Sequence, residues 1–127
     1  MTPEVEEAIQ ELKKTFGDDN LSVTPDSDGG AFVIIHNIDL GEKYQPPVTW
    51  IGFRITFQCP EADVYPHFID GNVKRSDGTK FGKGFSGPRK WQERHSLQIS
   101  RRSHHINPLV DTPTTKLIKV IQWIQDQ

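Results

Sequence analysis

Residues 48–57 constrain the fold most, because apolar and polar side chains alternate along them. A two-residue period is typical of a β-strand with one buried face and one wetter face. The polar or amphipathic positions are Trp50, Arg54 and Thr56. The apolar positions are Ile51, Phe53, Ile55 and Phe57. We therefore expect a sheet with a core on one side only.

Both ends of the chain have the pattern of an amphipathic helix. From Pro3 to Phe16, apolar residues recur every three or four positions, with Thr2 as the expected N-cap and Gly17 as the expected stop. Near the other end, Asp111 or Thr112 can cap a helix that has Pro113 in its first turn. The expected apolar face of that helix consists of Leu117, Val120, Ile121 and Ile124, with Trp123 beside them.

Short strand patterns occupy the part of the chain between the helices. Residues 21–24 and 31–37 flank a turn rich in aspartate and glycine, which predicts a hairpin. Residues 67–69 predict a fourth short strand, and residues 95–100 predict one more at the edge of the sheet. Residues 39–47 are expected to form a loop, since Pro46 and Pro47 cannot sustain a strand ladder.

The glycine-rich residues 71–88 are typical of a long mobile loop or of a hairpin with ragged edges, and either adds little to a core. The order of elements predicts one α+β domain over residues 1–127. Its parts are an N-terminal helix, an antiparallel meander of three to four strands, a long irregular basic segment and a C-terminal helix. No run approaches the roughly 20 apolar residues of a membrane-spanning helix, and the start of the chain is acidic, unlike a signal peptide.

The net charge of −2 conceals an uneven distribution of charge. Residues 1–73 hold thirteen acidic and four basic residues, whereas residues 74–102 hold nine basic and two acidic ones. The basic segment also contains Phe81, Phe85 and Trp91, so it fits either an acidic protein partner or a nucleic acid or phosphate group. The pI near 6.2 is low for a nucleic-acid binder and favours the protein partner.

Cys59 is the single cysteine, which excludes an internal disulfide and a multi-cysteine zinc site and favours a cytoplasmic protein. It is a candidate catalytic nucleophile if His36, His67 or His95 lies within hydrogen-bond reach. The alternative is that it packs in the core as a small apolar residue.

Three histidines are weak candidates for a metal site. His104 and His105 are adjacent and His95 precedes them by nine positions, with Asp111 as a conceivable fourth zinc ligand. Neighbouring side chains in an extended chain point to opposite sides, which disfavours joint ligation by His104 and His105. We therefore expect no metal and no other cofactor.

The passage FRITFQCPEADVYPHF resembles the ubiquitin-conjugating-enzyme superfamily, which includes inactive relatives and the RWD domains. In that family an aromatic-rich strand is followed by a Tyr-Pro turn, here Tyr65-Pro66, and the tail NPLVDTPTTKLIKVIQWI is similar to the entry into its next helix. Family enzymes place a nucleophilic cysteine, preceded by His-Pro-Asn, between these two points. Residues 67–112 contain neither. The resemblance thus implies a UBC-like fold without the usual nucleophile.

The resemblance implies a non-catalytic or modified protein-interaction component of a ubiquitin-like conjugation pathway of the bacterial kind. Its partner would be a ubiquitin-like protein or the activating enzyme of that protein. We predict that partner binding uses one basic patch, formed by Arg89, Trp91, Arg94, Arg101 and Arg102. Two alternatives stay open: a conjugation-type enzyme that uses Cys59 or a histidine cluster, and a nucleic-acid- or phosphate-binding module that uses residues 74–102.

Overall fold

The structure is a computed structural model that describes residues 1–127, and an antiparallel sheet of six strands forms its centre. In chain order the strands are β1 (Leu21–Pro25), β2 (Ala31–Asp39), β3 (Tyr44–Gln45), β4 (Val48–Ile55), β5 (His67–Asp70), β6 (Lys74–Arg75), β7 (Phe85–Trp91) and β8 (Arg94–Ile99). The main sheet has the order β1-β2-β4-β5-β8-β7, and β3 and β6 form a separate two-stranded ladder. The helices are α1 (Pro3–Phe16) and α2 (Pro113–Asp126).

Both predicted helices are confirmed, together with their caps. The Thr2 hydroxyl accepts a hydrogen bond from the Val5 N–H, and Gly17 ends α1 with a positive φ of 96°. Thr112 caps α2 through a capping box with Thr115. Neither helix has the length and apolar content that would let it span a membrane.

One face of the sheet forms the core with both helices. Val5 and Leu12 of α1 and Leu117 and Ile124 of α2 are fully buried in the same apolar cluster as the inward residues of the sheet. Those inward residues include Val33, Ile35, Ile51, Phe53, Ile55, Ile69, Leu97 and Ile99. The α+β class and the one-sided core are therefore confirmed.

The predicted inward position of Phe57 is wrong. Strand β4 ends at Ile55, so the two-residue period stops before it reaches Phe57, whose side chain is exposed. The predicted core positions at Ile51, Phe53 and Ile55 are confirmed as buried.

The sheet is larger than predicted, because β7 pairs with β8 in a hairpin and adds a sixth strand. This strand is the edge, so β8 lies inside the sheet, and the predicted edge position of residues 95–100 is wrong. Strand β7 accommodates Gly87 and Pro88 at a register shift between Ser86 and Arg89, where the ladder is interrupted. Gln92 and Glu93, both with positive φ, close the hairpin.

Residues 71–88 also contribute more to the core than expected. Val73 is buried, and Phe81 and Phe85 pack on Tyr44, whose ring is almost completely buried. The Tyr44 hydroxyl donates a hydrogen bond to the Ile124 carbonyl of α2. The segment predicted as a loop over residues 39–47 thus contains a short strand, β3, that ties the glycine-rich region to the C-terminal helix.

Candidate binding surfaces

No helix or second sheet packs on the face of the sheet that points away from the two helices, so only its own side chains cover it. Along β4 the pattern places Trp50, Gly52 and Arg54 on this face, and the strand register puts Phe32 of β2 and Phe68 of β5 beside them. Phe32 and Trp50 stay partly exposed. A sheet face without a second layer leaves these aromatic rings available for contact with another molecule.

Trp91 holds this cluster together. Its ring stacks on Phe68 at 4.7 Å between centroids, lies 6.3 Å from Trp50 in a stacked arrangement, and meets Phe32 edge-on at 6.4 Å. It comes from β7 and crosses to β4, where Gly52 leaves the space that it occupies. A Cβ at Gly52 would collide with the Trp91 ring. The turn of the β7–β8 hairpin therefore bends over the open face.

Arginines surround the aromatic cluster. The Arg94 guanidinium lies 5.4 Å from the centre of the Trp50 ring and makes no ion pair, and that of Arg54 lies 5.5 Å from Phe32 and pairs with Asp26 at 2.9 Å. Arg89 donates a hydrogen bond to the Gln98 side chain. We call this surface the aromatic face; it consists of Phe32, Trp50, Phe68 and Trp91 with Arg54, Arg89 and Arg94.

Arg101 and Arg102 are on a different surface. They follow β8 and line a cleft of about 280 Å³ between residues 59–64, residues 101–112 and α2. The Arg101 guanidinium lies 4.8 Å from the centre of the Trp123 ring of α2, and that of Arg102 lies 3.9 Å from the Tyr65 ring. The structure therefore does not bring the five predicted partner-binding residues together. Arg89, Trp91 and Arg94 share the aromatic face, and the other two line the cleft on the helix side.

A buried cation fixes one wall of the cleft. Lys116 of α2 is only 8 % exposed, and its ammonium group donates to Asp63 at 3.1 Å, to the Arg101 carbonyl at 2.7 Å and to the Ser103 hydroxyl at 2.8 Å. The Ser103 N–H donates to the same Asp63 carboxylate at 2.8 Å. Asp63, Ser103 and Lys116 were not predicted as site residues, because they are far apart in the sequence and come together only when the chain folds.

His67 lies in the core close to this network. Its ring is fully buried against Phe53, and neither ring nitrogen has a hydrogen-bond partner in the protein. Burial, followed by the charge of Lys116, lowers the pKa of His67 to about 3, although Asp63 acts in the opposite direction. The imidazole is therefore neutral at neutral pH and has no access to solvent.

Cys59 lines the cleft but lacks the environment of a nucleophile. The residue is 8 % exposed, and burial, followed by the nearby charges of Glu61, Glu4 and Glu7, raises the pKa of its thiol. The thiol makes no hydrogen bond to His67, which has no partner, or to His36, whose ring bonds to Ser22. A protonated thiol without a base is unreactive.

The candidate metal-ligating histidines are separated. His95 packs near Gly71 at the start of β8, whereas His104 and His105 line the cleft after the end of that strand. Asp111 accepts a hydrogen bond from the Asn107 N–H and lies near Lys119. No group of three or more histidine, cysteine, aspartate or glutamate side chains is arranged to hold a metal ion.

Comparison with protein-family models, with curated proteins and with solved structures finds no match for this chain.

Proposed function

We propose that this chain is a non-catalytic, cytoplasmic protein-interaction component of a bacterial ubiquitin-like conjugation pathway, and that it binds an acidic partner protein through the aromatic face. The order of helix, antiparallel strands, Tyr65-Pro66 link and late helix supports the family resemblance. The raised pKa of Cys59 and the absence of cysteine from residues 67–112 support a role without thioester chemistry.

The observation that carries the proposal is the composition of the aromatic face. Tryptophan and arginine are the side chains most enriched at the energetic centres of protein interfaces. Here Trp50 and Trp91 lie in a stacked cluster that is already ordered, so a partner would lose little side-chain entropy by binding to it. Arg94 and Arg89 have no acidic partner, so they can pair with carboxylates of a docked protein.

The test is binding to the two proteins that the resemblance implies. The ubiquitin-like protein and the activating enzyme of the source organism are each titrated into ¹⁵N-labelled protein. We expect the largest changes in the chemical shifts of the amide signals at Phe32, Trp50, Phe68 and Trp91. The double variant Arg89→Glu/Arg94→Glu should weaken binding at least tenfold, and binding should weaken with added salt, because rim charges act through exposed electrostatics.

The matched control is Lys80→Glu/Lys83→Glu, which makes the same change of charge in the basic segment at two exposed positions away from the aromatic face. This control should bind within about twofold of the parent. Docking at this face would be contradicted if both double variants lost binding equally. It would also be contradicted if the chemical-shift changes occurred away from the four aromatic residues. Absence of binding to both proteins would contradict the proposed pathway.

A second candidate function is binding of single-stranded nucleic acid to the same face. Aromatic rings beside arginines on an open antiparallel sheet suit base stacking and phosphate contact. Against this, Trp91 and Phe68 already stack on each other, and the chain carries a net charge of −2. Filter binding with a mixed-sequence oligonucleotide decides between the two functions: tight binding with a steep salt dependence favours the nucleic acid.

A further inference from the structure

The cleft beside α2 contains two cations that the protein does not neutralise. Four lysine and arginine side chains line it, and two of them have acidic partners: Lys116 pairs with Asp63, and Lys119 lies 3.8 Å from Asp111. Arg101 and Arg102 are exposed, and their guanidinium groups make no ion pair or hydrogen bond within the protein. Their charge and their N–H groups are thus available to an external anion.

Both guanidinium groups are held in place by aromatic rings. Arg101 lies over Trp123 and Arg102 lies over Tyr65. A guanidinium that stacks on a ring keeps its N–H edges free, and these edges match the paired oxygens of a phosphate or carboxylate. Stacking also reduces the side-chain entropy that binding would remove, which favours a ligand.

The backbone that carries the two arginines is fixed as well. Lys116 bonds the Arg101 carbonyl and the Ser103 hydroxyl, and Asp63 accepts the Ser103 N–H. This buried network therefore pins the chain on both sides of Arg102. A site whose backbone and side chains are both held before the ligand arrives is preorganised.

The start of α2 lines the same cleft. Thr112, Pro113 and Thr115 are among its lining residues, but the Thr112 hydroxyl donates to the Glu11 carboxylate of α1 at 2.6 Å and accepts the Thr115 N–H. The N-terminus of this helix is therefore already capped and next to a carboxylate, so Arg101 and Arg102 are the groups in this cleft that are available to an anion. With a volume of about 280 Å³, the cleft is slightly smaller than the range of about 300–1,000 Å³ that sites for drug-sized ligands occupy, which suits a small ligand.

We propose that this cleft is a binding site for a phosphate monoester, whose phosphate is held by Arg101 and Arg102. Two unpaired cations match a phosphate, which carries a charge of about −2, better than a carboxylate, which carries −1. The phosphate could belong to a free small molecule or to a phosphorylated side chain of a protein. The cleft is on the helix side of the sheet, so this proposal is independent of docking at the aromatic face.

The experiment is calorimetric titration of the full chain with phenyl phosphate, with benzoate and with a phosphoserine peptide, all at one ionic strength. We expect phenyl phosphate to bind at least fivefold more tightly than benzoate. Arg101→Gln/Arg102→Gln should weaken phenyl phosphate binding at least tenfold. The control Lys80→Gln/Lys83→Gln removes the same charge at two exposed positions outside the cleft and should bind within about twofold of the parent. Urea unfolding checks that both double variants fold.

Each outcome has one meaning. Comparable binding of phenyl phosphate and the peptide, lost with Arg101 and Arg102, supports a free phosphate monoester as the ligand. Peptide binding that is tenfold tighter and lost in the same variant supports a phosphorylated protein. The proposal is overturned if neither probe binds, if benzoate binds as tightly as phenyl phosphate, or if both double variants weaken binding equally.

Discussion

The stability of the fold depends on pH in part through one residue, the buried His67. Burial lowers its pKa from the ordinary value of 6.5 to about 3, and the charged groups that act on it are Lys116 and Asp63. The unfolded chain takes up a proton near pH 6.5, whereas the folded chain resists protonation until about pH 3. The stability linked to this group is therefore complete above pH 6.5 and is lost as the pH falls toward 3.

We expect the free energy of unfolding to fall by about 2 kcal/mol between about pH 8 and about pH 5 because of His67 alone. Urea unfolding followed by circular dichroism measures this difference. His67→Leu has a similar volume and cannot bind a proton, so its stability should vary with pH by about 2 kcal/mol less than that of the parent. An unchanged pH dependence in this variant would assign the effect to other groups.

At the scale of the element, the β7–β8 hairpin depends on a glycine in another strand. Gly52→Ala would place a methyl group where the Trp91 ring lies. We expect the variant to displace Trp91 from Phe68 and Trp50, to lower the free energy of unfolding by about 1–3 kcal/mol, and to reduce the near-ultraviolet circular dichroism of the stacked rings. Gly82→Ala is the control, because nothing lies within 4 Å of its added Cβ, and it should cost less than about 0.5 kcal/mol.

The same hairpin shows what local sequence signals could not predict. Both helices and β4 were predictable, because caps and periodic burial are local properties of the chain. Strand β7 has the sequence FSGPRKW and contains no buried residue, so it shows no alternation of buried and exposed positions. In addition, its Gly87-Pro88 pair indicates a turn. A segment with such a pattern becomes a strand only because it pairs with its neighbour, here β8.

The cleft could be predicted only in part for a related reason. Arg101 and Arg102 were identified from their charge, but their separation from Arg89 and Arg94 depends on where β8 ends and on which side α2 packs. Lys116, Ser103 and Asp63 meet across up to 53 positions of the chain. No local sequence pattern predicts a contact between residues so far apart in the chain.

At the scale of the whole molecule, Lys116 connects α2 with two loops that precede it. Lys116→Met removes the cation and leaves Asp63 partly buried without its partner, since the two side chains are 9 % and 18 % exposed. We expect this variant to lower the free energy of unfolding by about 3 kcal/mol, as is typical when one member of a buried pair is removed. Urea unfolding measures the loss.

Lys119→Met is the matched control for this prediction. Lys119 is in the same helix, its side chain is 71 % exposed and its pairing distance to Asp111 is 3.8 Å, so its removal should cost less than about 1 kcal/mol. The double variant Lys116→Met/Asp63→Asn should recover part of the loss, because it removes the unpaired charge. Equal costs for Lys116→Met and Lys119→Met would show that the buried network adds little to folding.

The distribution of the three tryptophans gives each surface its own optical reporter. Trp50 and Trp91 lie together on the sheet, whereas Trp123 lies under Arg101 on the other side. Indole emission responds to charge and water within a few ångströms, so an occupant of the cleft would change the emission of Trp123 and leave the stacked pair unaffected. With the other indoles replaced by phenylalanine, one fluorimeter could follow the filling of either side separately.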